Sequence, residues 1–154
     1  EAVRAWAARV APGVPSAVVH LVPDALVRAD APDDVVALAS MAGDDVLAVA
    51  GIGDPHAFAA QLAQAGLRPT LRAFEDHHPY DDADVAALGR AAGDRPVVTT
   101  LKDAVKLSPR WPRTAPPLRY VSQRVVVEDG GAALDGALAA VLAARVQSPV
   151  VPAD

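Results

Sequence analysis

The chain has 154 residues, of which 52% are hydrophobic and 21% charged, and it contains no cysteine. This composition is typical of a globular domain and excludes a disordered chain, a disulfide framework and a cysteine-ligated metal site. The net charge of −5 gives no overall attraction to nucleic acid, and no apolar run reaches the ~18 residues needed to span a bilayer. Because the chain begins at Glu1 without a methionine, we expect it to be part of a longer protein.

In the first third of the chain, proline and glycine interrupt the local patterns. A helix end is predicted over residues 1–10, and a strand rich in β-branched residues over 16–22. Pro23 has no N–H to donate, so it interrupts that strand, and pairing either resumes around 25–28 or stops there. The next predicted elements are a polar turn over 29–34 and a short helical turn or connection over 35–41.

From residue 46 onward, strands and helices alternate. Residues 46–50 form a continuous apolar run, as expected for a strand that is covered on both faces. Asp54 is a good N-cap and Pro55 suits the first helical position, which predicts a helix over 55–65 that Gly66 ends. The remaining predicted elements are a strand over 69–74, a helix from Asp81 or Asp82 to Gly93, a strand over 96–99, a helix over 102–107, one or two strands over 118–127 and a helix over 132–146.

This alternation predicts an α/β fold with a mostly parallel sheet flanked by helices, a Rossmann-like lobe of three layers. We expect residues 1–146 to form one lobe, with its connection and edge strands in 1–44 and the regular β/α part in 45–146. Residues 147–154 are predicted to be a flexible tail.

Three titratable residues, Asp76, His77 and His78, follow directly after the predicted strand 69–74. In an open α/β sheet such strand ends border the crevice that holds the site. An imidazole beside a carboxylate can move protons near neutral pH, which makes His77 with Asp76 a candidate general base. Metal binding by the histidines and nearby aspartates is a competing hypothesis, and a solvated turn shaped by Asp and Pro is a third.

A second polar cluster, Thr100, Lys102 and Asp103, follows the predicted strand 96–99. Thr100 can cap the next helix, and Asp103 suits its first turn. Lys102 opposes the positive end of the helix dipole, so it is a candidate for meeting an anion such as a phosphate. The alternative is that its long stem carries the ammonium group into water.

Gly51 and Gly53 lie between the strand 46–50 and the following helix, where glycines can bring backbone N–H groups close to an anion. Their spacing matches neither the dinucleotide-binding nor the P-loop glycine pattern. The predicted cap Asp54 would also repel a phosphate at that helix start. A tight strand-to-helix turn is therefore the alternative to ligand contact.

Three motifs in this order resemble the C-terminal half of the tetraacyldisaccharide 4'-kinases, the lipid A 4'-kinases. That family has an apolar strand ending in G-I-G-x-P-x-x-F, a strand leading to D-H, and then T-x-K-D-A-x-K-L. In this chain the motifs are residues 51–58, the pair Asp76-His77, and residues 100–107. The family more often has Glu where Leu101 stands here.

The resemblance implies a kinase that transfers the γ-phosphate of ATP to the 4'-hydroxyl of a tetraacyldisaccharide 1-phosphate in lipid A biosynthesis, with Mg²⁺. It implies a P-loop enzyme of two α/β lobes in which ATP and Mg²⁺ are bound mainly by an N-terminal lobe outside this sequence. His77 would help to activate the hydroxyl and Asp76 would orient it, and no metal ligand is assigned to this chain. The residues implied to lie near substrate or phosphate are Lys102, Asp103, Thr100, Gly51 and Gly53.

The resemblance also implies a peripheral position on the cytoplasmic side of the bacterial inner membrane, through the N-terminal part, and no nucleic-acid partner. We expect the isolated chain to be inactive. Two other hypotheses stay open at this point. One is a metal-dependent phosphoesterase that uses Asp76, His77 and His78 as ligands, and the other is a non-catalytic α/β interaction module.

Overall fold

The computed structural model describes residues 2–147 of the chain. Two 3₁₀ turns, Leu38–Met41 and Ser108–Arg110, accompany the regular elements. The regular elements in chain order are α1 (Ala2–Val10), β1 (Val18–Arg28), β2 (Ala31–Ala37), β3 (Asp45–Ala50), α2 (Pro55–Gln64), β4 (Arg68–Ala73), α3 (Asp82–Ala92), β5 (Val97–Thr99), α4 (Leu101–Leu107), β6 (Leu118–Asp129) and α5 (Gly131–Gln147).

The chain forms two compact units. The larger one is Pro23–Arg124, and the smaller one contains the described residues on either side of it. All of the predicted site residues belong to the larger unit. No helix within residues 2–147 is long and apolar enough to cross a membrane. Part of the expected tail, residues 148–154, lies outside the described residues.

The six strands form one sheet in the order β2-β1-β6-β5-β3-β4. β3 pairs in parallel with both β4 and β5, and β5 pairs in parallel with β6, whereas β1 and β2 are antiparallel. The prediction of an α/β fold with a mostly parallel sheet is thus confirmed. After β3 the chain moves to one side and forms β4, and β5 then forms on the other side of β3. The crevice at such a reversal of strand order is where open α/β sheets bind ligands.

The central strand β3 is buried on both faces, as its uninterrupted apolar sequence predicts. Successive side chains of a strand point to opposite faces, so β3 contributes to two separate cores. Val46, Ala48 and Ala50 pack with Phe58 and Leu62 of α2 on one face. The core on the other face contains Leu47 and Val49 with Val85 and Leu88 of α3 and Leu107 of α4.

The predicted elements from residue 46 onward are confirmed, with ends that differ by a few residues. The polar turn predicted over 29–34 is wrong from Ala31, where β2 begins, and the connection predicted over 35–41 is part strand and part 3₁₀ turn. β2 is an edge strand that carries Pro32, Asp33 and Asp34. Edge strands tolerate proline and charge because one side of the strand needs no partner, so their sequence looks like a turn.

Candidate functional site

The predicted site residues of this chain gather at the carboxyl ends of β3, β4 and β5. Ala50 pairs with Ala73, and Val49 pairs with Thr99, so the three strands end at the same edge of the sheet. Gly51 continues from β3, the segment 74–80 continues from β4, and Thr100 continues from β5. Parallel pairing thus brings three separate sequence motifs to one crevice.

The end of β3 is joined to the start of α4 by the carboxylate of Asp103, which is fully buried. The Gly51 N–H donates to Asp103 Oδ2 at 3.1 Å, and Thr100 Oγ1 donates to the same oxygen at 2.8 Å. Thr100 also caps α4, because its Oγ1 accepts from the Asp103 N–H at 3.3 Å. These bonds occupy the Gly51 N–H, the Thr100 hydroxyl and Asp103 Oδ2, on residues that were candidates for contact with a phosphate. Their geometry favours a structural role for Asp103, since a carboxylate buried by its own chain does not reach a ligand.

Gly51 leaves no room for a side chain. A Cβ at this position would lie 2.7 Å from Tyr80 Oη, 3.2 Å from the Glu75 carbonyl oxygen and 3.3 Å from Asp103 Oδ1. Among the described residues, Tyr80 Oη and Asp103 Oδ1 are buried without a partner that meets hydrogen-bond geometry. Burial, and then the charge of Asp103, raise the pKa of Tyr80 above that of an ordinary phenol.

His77 lies at the tip of the loop that follows β4. Its φ of 62° is in the left-handed region, which few residues other than glycine adopt. Its N–H donates to the Gly51 carbonyl oxygen at 3.1 Å, while its side chain is 80% exposed. His77 Nε2 lies 3.7 Å from Asp76 Oδ2, which is an electrostatic contact rather than a direct hydrogen bond.

His78 has entirely different surroundings. Its Nε2 donates to Asp84 Oδ2 at 2.7 Å, and this bond is the largest cause that lowers the pKa of Asp84. The His78 ring packs against Phe74 and Tyr80 at centroid distances of 4.7 and 4.9 Å. Two histidines that meet different carboxylates do not form a common ligand set. Within residues 2–147 no three His, Cys, Asp or Glu side chains are grouped to hold a metal ion, so the phosphoesterase hypothesis is not favoured.

Lys102 and Gly53, like Asp76 and His77, are predicted site residues that are exposed. Lys102 lies in the first turn of α4, and no hydrogen bond or ion pair of its ammonium group occurs with any other described residue. A Cβ at Gly53 would have only Asp76 Oδ2 nearby, at 4.0 Å. Both residues are accessible to a ligand, in contrast to Gly51 and Asp103.

The sequence did not predict the residues that hold the segment 74–80 through hydrogen bonds to its backbone. Lys106 Nζ donates to the His78 carbonyl oxygen at 3.0 Å, and Arg110 Nη1 donates to the Tyr80 carbonyl oxygen at 3.2 Å. Lys106 belongs to the third motif, which was the one available signal, but its partner is 28 residues away in sequence. Contacts at such separation are not visible in local patterns.

Comparison with known proteins identifies the family of this chain. Residues 2–143 match the family LpxK, tetraacyldisaccharide-1-P 4'-kinase. A tetraacyldisaccharide 4'-kinase of Methylobacterium sp. (strain 4-46) is 39% identical over 143 residues, which are 90% of this chain and 39% of that protein. One of Bradyrhizobium sp. (strain ORS 278) is 44% identical over 95 residues, 58% of this chain and 28% of that protein.

A solved structure supports the same fold. The crystal structure of LpxK from Aquifex aeolicus in complex with ATP superposes with a TM-score of 0.57 at 21% identity, over 81% of this chain and 38% of that one. The chain therefore spans well under half the length of the relatives it matches. From the family match over nearly all described residues, we conclude that this chain belongs to the tetraacyldisaccharide-1-P 4'-kinase family.

Proposed function

We propose that this chain is the C-terminal, acceptor-side lobe of a tetraacyldisaccharide 4'-kinase. The complete enzyme would transfer the γ-phosphate of ATP to the 4'-hydroxyl of a tetraacyldisaccharide 1-phosphate, a step of lipid A biosynthesis. One observation carries the proposal: the His77 ring is exposed, beside Asp76, at the edge where the parallel strands end. In an α/β sheet this edge is the one that faces substrate.

The role proposed for His77 is that of a general base toward the sugar hydroxyl. As the hydroxyl oxygen forms its bond to the γ-phosphorus and the bond to ADP breaks, the hydroxyl proton is transferred to the imidazole. The carboxylate of Asp76 lies 3.7 Å from His77 Nε2, and the role proposed for it is to orient the ring. An exposed ring on a well-supported loop can reach a substrate and still be held in place, as general base catalysis requires.

The described residues do not fit the phosphates of ATP or a Mg²⁺ ion. The Gly51 N–H is already bound to Asp103, and Asp54 Oδ1 accepts from the Ala57 N–H at 2.8 Å, which puts a carboxylate at the start of α2. The part of the chain that the structure describes also has no grouped ligands for a metal. We therefore assign ATP and Mg²⁺ to the remainder of the complete protein. Lys102 and Gly53 remain candidates for contact with the lipid's sugar or phosphate groups.

The substrate class sets the proposed location. A tetraacylated disaccharide resides in a membrane, so we place the complete enzyme peripherally on the cytoplasmic side of the bacterial inner membrane. The contact with the membrane surface is assigned to the N-terminal part. The acidic net charge of −5 gives no reason to propose a nucleic-acid partner.

The test is His77→Ala in the complete protein. Loss of a general base lowers turnover by about 10²–10⁴-fold, and we expect this loss in an assay of ATP-dependent phosphorylation of the tetraacyldisaccharide. The melting temperature should change little, because the ring is exposed and its bond to Gly51 uses only the backbone.

The matched control is His56→Ala, which removes an exposed histidine from α2. The control should keep the turnover of the unmodified protein. Unchanged turnover in His77→Ala would remove His77 from the mechanism. A complete protein without any kinase turnover would instead support a non-catalytic module.

A further inference from the structure

We propose that the buried junction between Asp103 and Gly51 is a positioning device that holds His77 at a fixed place above the strand ends. Thr100, Asp103 and Gly51 would then act on catalysis through His77, without contact with substrate. The inference rests on the role proposed for His77 in the preceding subsection. It gives a reason for the third motif that does not require phosphate binding.

Three parts of the segment 74–80 converge on one glycine, Gly51. The Gly51 carbonyl oxygen accepts the N–H of His77 at 3.1 Å. The Glu75 carbonyl oxygen and Tyr80 Oη both border the space where a Gly51 side chain would be. Residues before His77, His77 itself and a residue after it therefore all lie against Gly51. A displacement of this one peptide would move the catalytic ring.

Asp103 binds the same peptide from the side of α4. Its Oδ2 accepts from the Gly51 N–H and from Thr100 Oγ1, so the peptide following β3 is tied to the cap of α4. Thr99, the residue before that cap, is itself tied to β3, because its Oγ1 donates to the Val49 carbonyl oxygen at 2.7 Å. Gly51 is consequently linked to the rigid start of α4 and the adjacent strand.

Burial of these polar groups has a cost in folding free energy. A buried carboxylate is unfavourable unless it is well bonded, and buried polar atoms without partners are rare in native proteins. Among the described residues, Asp103 Oδ1 and Tyr80 Oη have no partner that meets hydrogen-bond geometry, although the Tyr80 hydroxyl and the Asp103 carboxylate interact. Tyr80, like His77, also has a positive φ, of 55°. Strained backbone persists only where the surrounding structure holds it, and it is concentrated at functional sites.

The activity test uses Asp103→Ala in the complete kinase. A misplacement of about 1 Å can cost about 10²-fold, so we expect kcat to fall by about 10- to 100-fold, with the KM of ATP and of the lipid within about two-fold of the original value. Asp103→Asn should recover part of kcat, because its amide oxygen still accepts from the Gly51 N–H. The control Asp45→Asn removes an exposed ion pair with Arg68 at the other end of β3 and should leave kcat unchanged.

A raised KM with unchanged kcat would overturn the inference, because it would indicate that Asp103 contacts substrate. Unchanged kcat and KM would overturn it as well. If Asp103→Ala fails to fold, Thr100→Val carries the same test, since it removes only the Thr100 hydroxyl bonds at the junction.

A second measurement does not depend on turnover. Hydrogen exchange of the His77 amide, followed by NMR in the complete protein, should become at least ~10-fold faster in Asp103→Ala. The amide of Leu47 in β3, which donates to the carbonyl oxygen of Pro96 just before β5, serves as the reference and should not change. Unchanged exchange at His77, or an equal rise at Leu47, would overturn the inference.

Gly51→Ala approaches the junction from its other side, and Gly53→Ala is its matched control with an open Cβ position. We expect Gly51→Ala to raise the exchange of the His77 amide at least ~10-fold, and Gly53→Ala to leave it unchanged. Equal exchange in the two variants would count against the inference. A complete protein without kinase turnover would refute the proposed function, while the exchange data would still decide whether this junction positions His77.

Discussion

Two adjacent histidines of the same loop have opposite surroundings. His77 is 80% exposed and meets Asp76 at 3.7 Å, whereas His78 is 27% exposed and binds Asp84 at 2.7 Å. The left-handed backbone at His77 turns the chain there, so the two rings point to different neighbours. The exposed ring is suited to chemistry, and the packed ring supports the loop.

The surroundings of Tyr80 change its pKa. As a result, the stability of the folded protein depends on pH in the alkaline range. The raised pKa of Tyr80 means that the folded protein keeps the phenol proton at pH values where the unfolded chain releases it. Stability from this source is complete below the unfolded pKa of about 10. It is lost as the pH rises from there toward the folded pKa.

We therefore expect the free energy of unfolding of Tyr80→Phe to decrease less steeply above pH 10 than that of the unmodified chain. Urea unfolding at pH 8, 9, 10 and 11 measures this as a smaller decrease in the free energy of unfolding than in the unmodified chain. The control is Tyr120→Phe, at the chain's other tyrosine, which is only partly buried. Equal alkaline slopes for Tyr80→Phe and the unmodified chain would contradict the expected burial effect.

At the scale of elements, the start of α3 is joined to the segment 74–80, which contains His77. Asp81 Oδ1 accepts from the Asp84 N–H at 2.8 Å, and Asp84 Oδ2 accepts from the Asp81 N–H at 3.2 Å, which forms a capping box. Asp84 Oδ2 also accepts from His78, so a single carboxylate joins the helix cap to the loop. The loop is thereby anchored at α3 as well as at α4.

Asp84→Ala should lower the melting temperature at pH 7. The melting temperature of this variant should also decrease less as the pH is lowered. The pKa of Asp84 is lowered, first by its hydrogen bond with His78, so its stabilising effect is present above the unfolded pKa of about 3.9 and lost as the pH falls through the folded value. Thermal unfolding at pH 7, 5, 4 and 3 should show a smaller acid-induced decrease in the variant.

The control for this measurement is Asp82→Ala. Its side chain is in the same first turn but 92% exposed, and its ion pair with Arg110 is a surface contact. We expect Asp82→Ala to change the melting temperature less than Asp84→Ala at pH 7. A larger effect of Asp82→Ala would show that the helix dipole, and not the capping box with His78, dominates at this end.

At the scale of the whole molecule, the chain corresponds to a minor part of its relatives, 39% of one and 28% of another. Phosphoryl transfer requires a phosphate cradle, a metal ion and a positioned nucleophile. Among the described residues no side chains are grouped to hold a metal ion, and the role proposed for His77 concerns the nucleophile alone. The activity is therefore proposed for the complete protein.

We expect the 154-residue chain alone to show no ATP-dependent phosphorylation of the tetraacyldisaccharide. The measurement is product formation under conditions in which the complete protein turns over many times, with the complete protein as the positive control. Steady turnover by the isolated chain would contradict the assignment of ATP and Mg²⁺ to other parts of the protein.

The sequence alone was sufficient for the elements with strong local signals. The apolar run 46–50 predicted β3, the cap Asp54 with Pro55 predicted the start of α2, and Thr100 predicted the start of α4. Each depends on residues that are close in sequence. The same applies to the family, because three ordered motifs are read directly from the chain. The edge strand β2 was missed because Pro32 and the charges beside it resemble a turn.

Only the tertiary structure decided what the individual polar residues do. Asp103 and Gly51 are 52 residues apart, and nothing local in either segment indicates that the carboxylate of one binds the N–H of the other. The same is true of Lys106 and the carbonyl group of His78. Strand pairing brings such groups together across long loops, and burial then determines which can meet a ligand. For this reason the sequence located the crevice, while the fold separated exposed His77 and Lys102 from the buried junction beneath them.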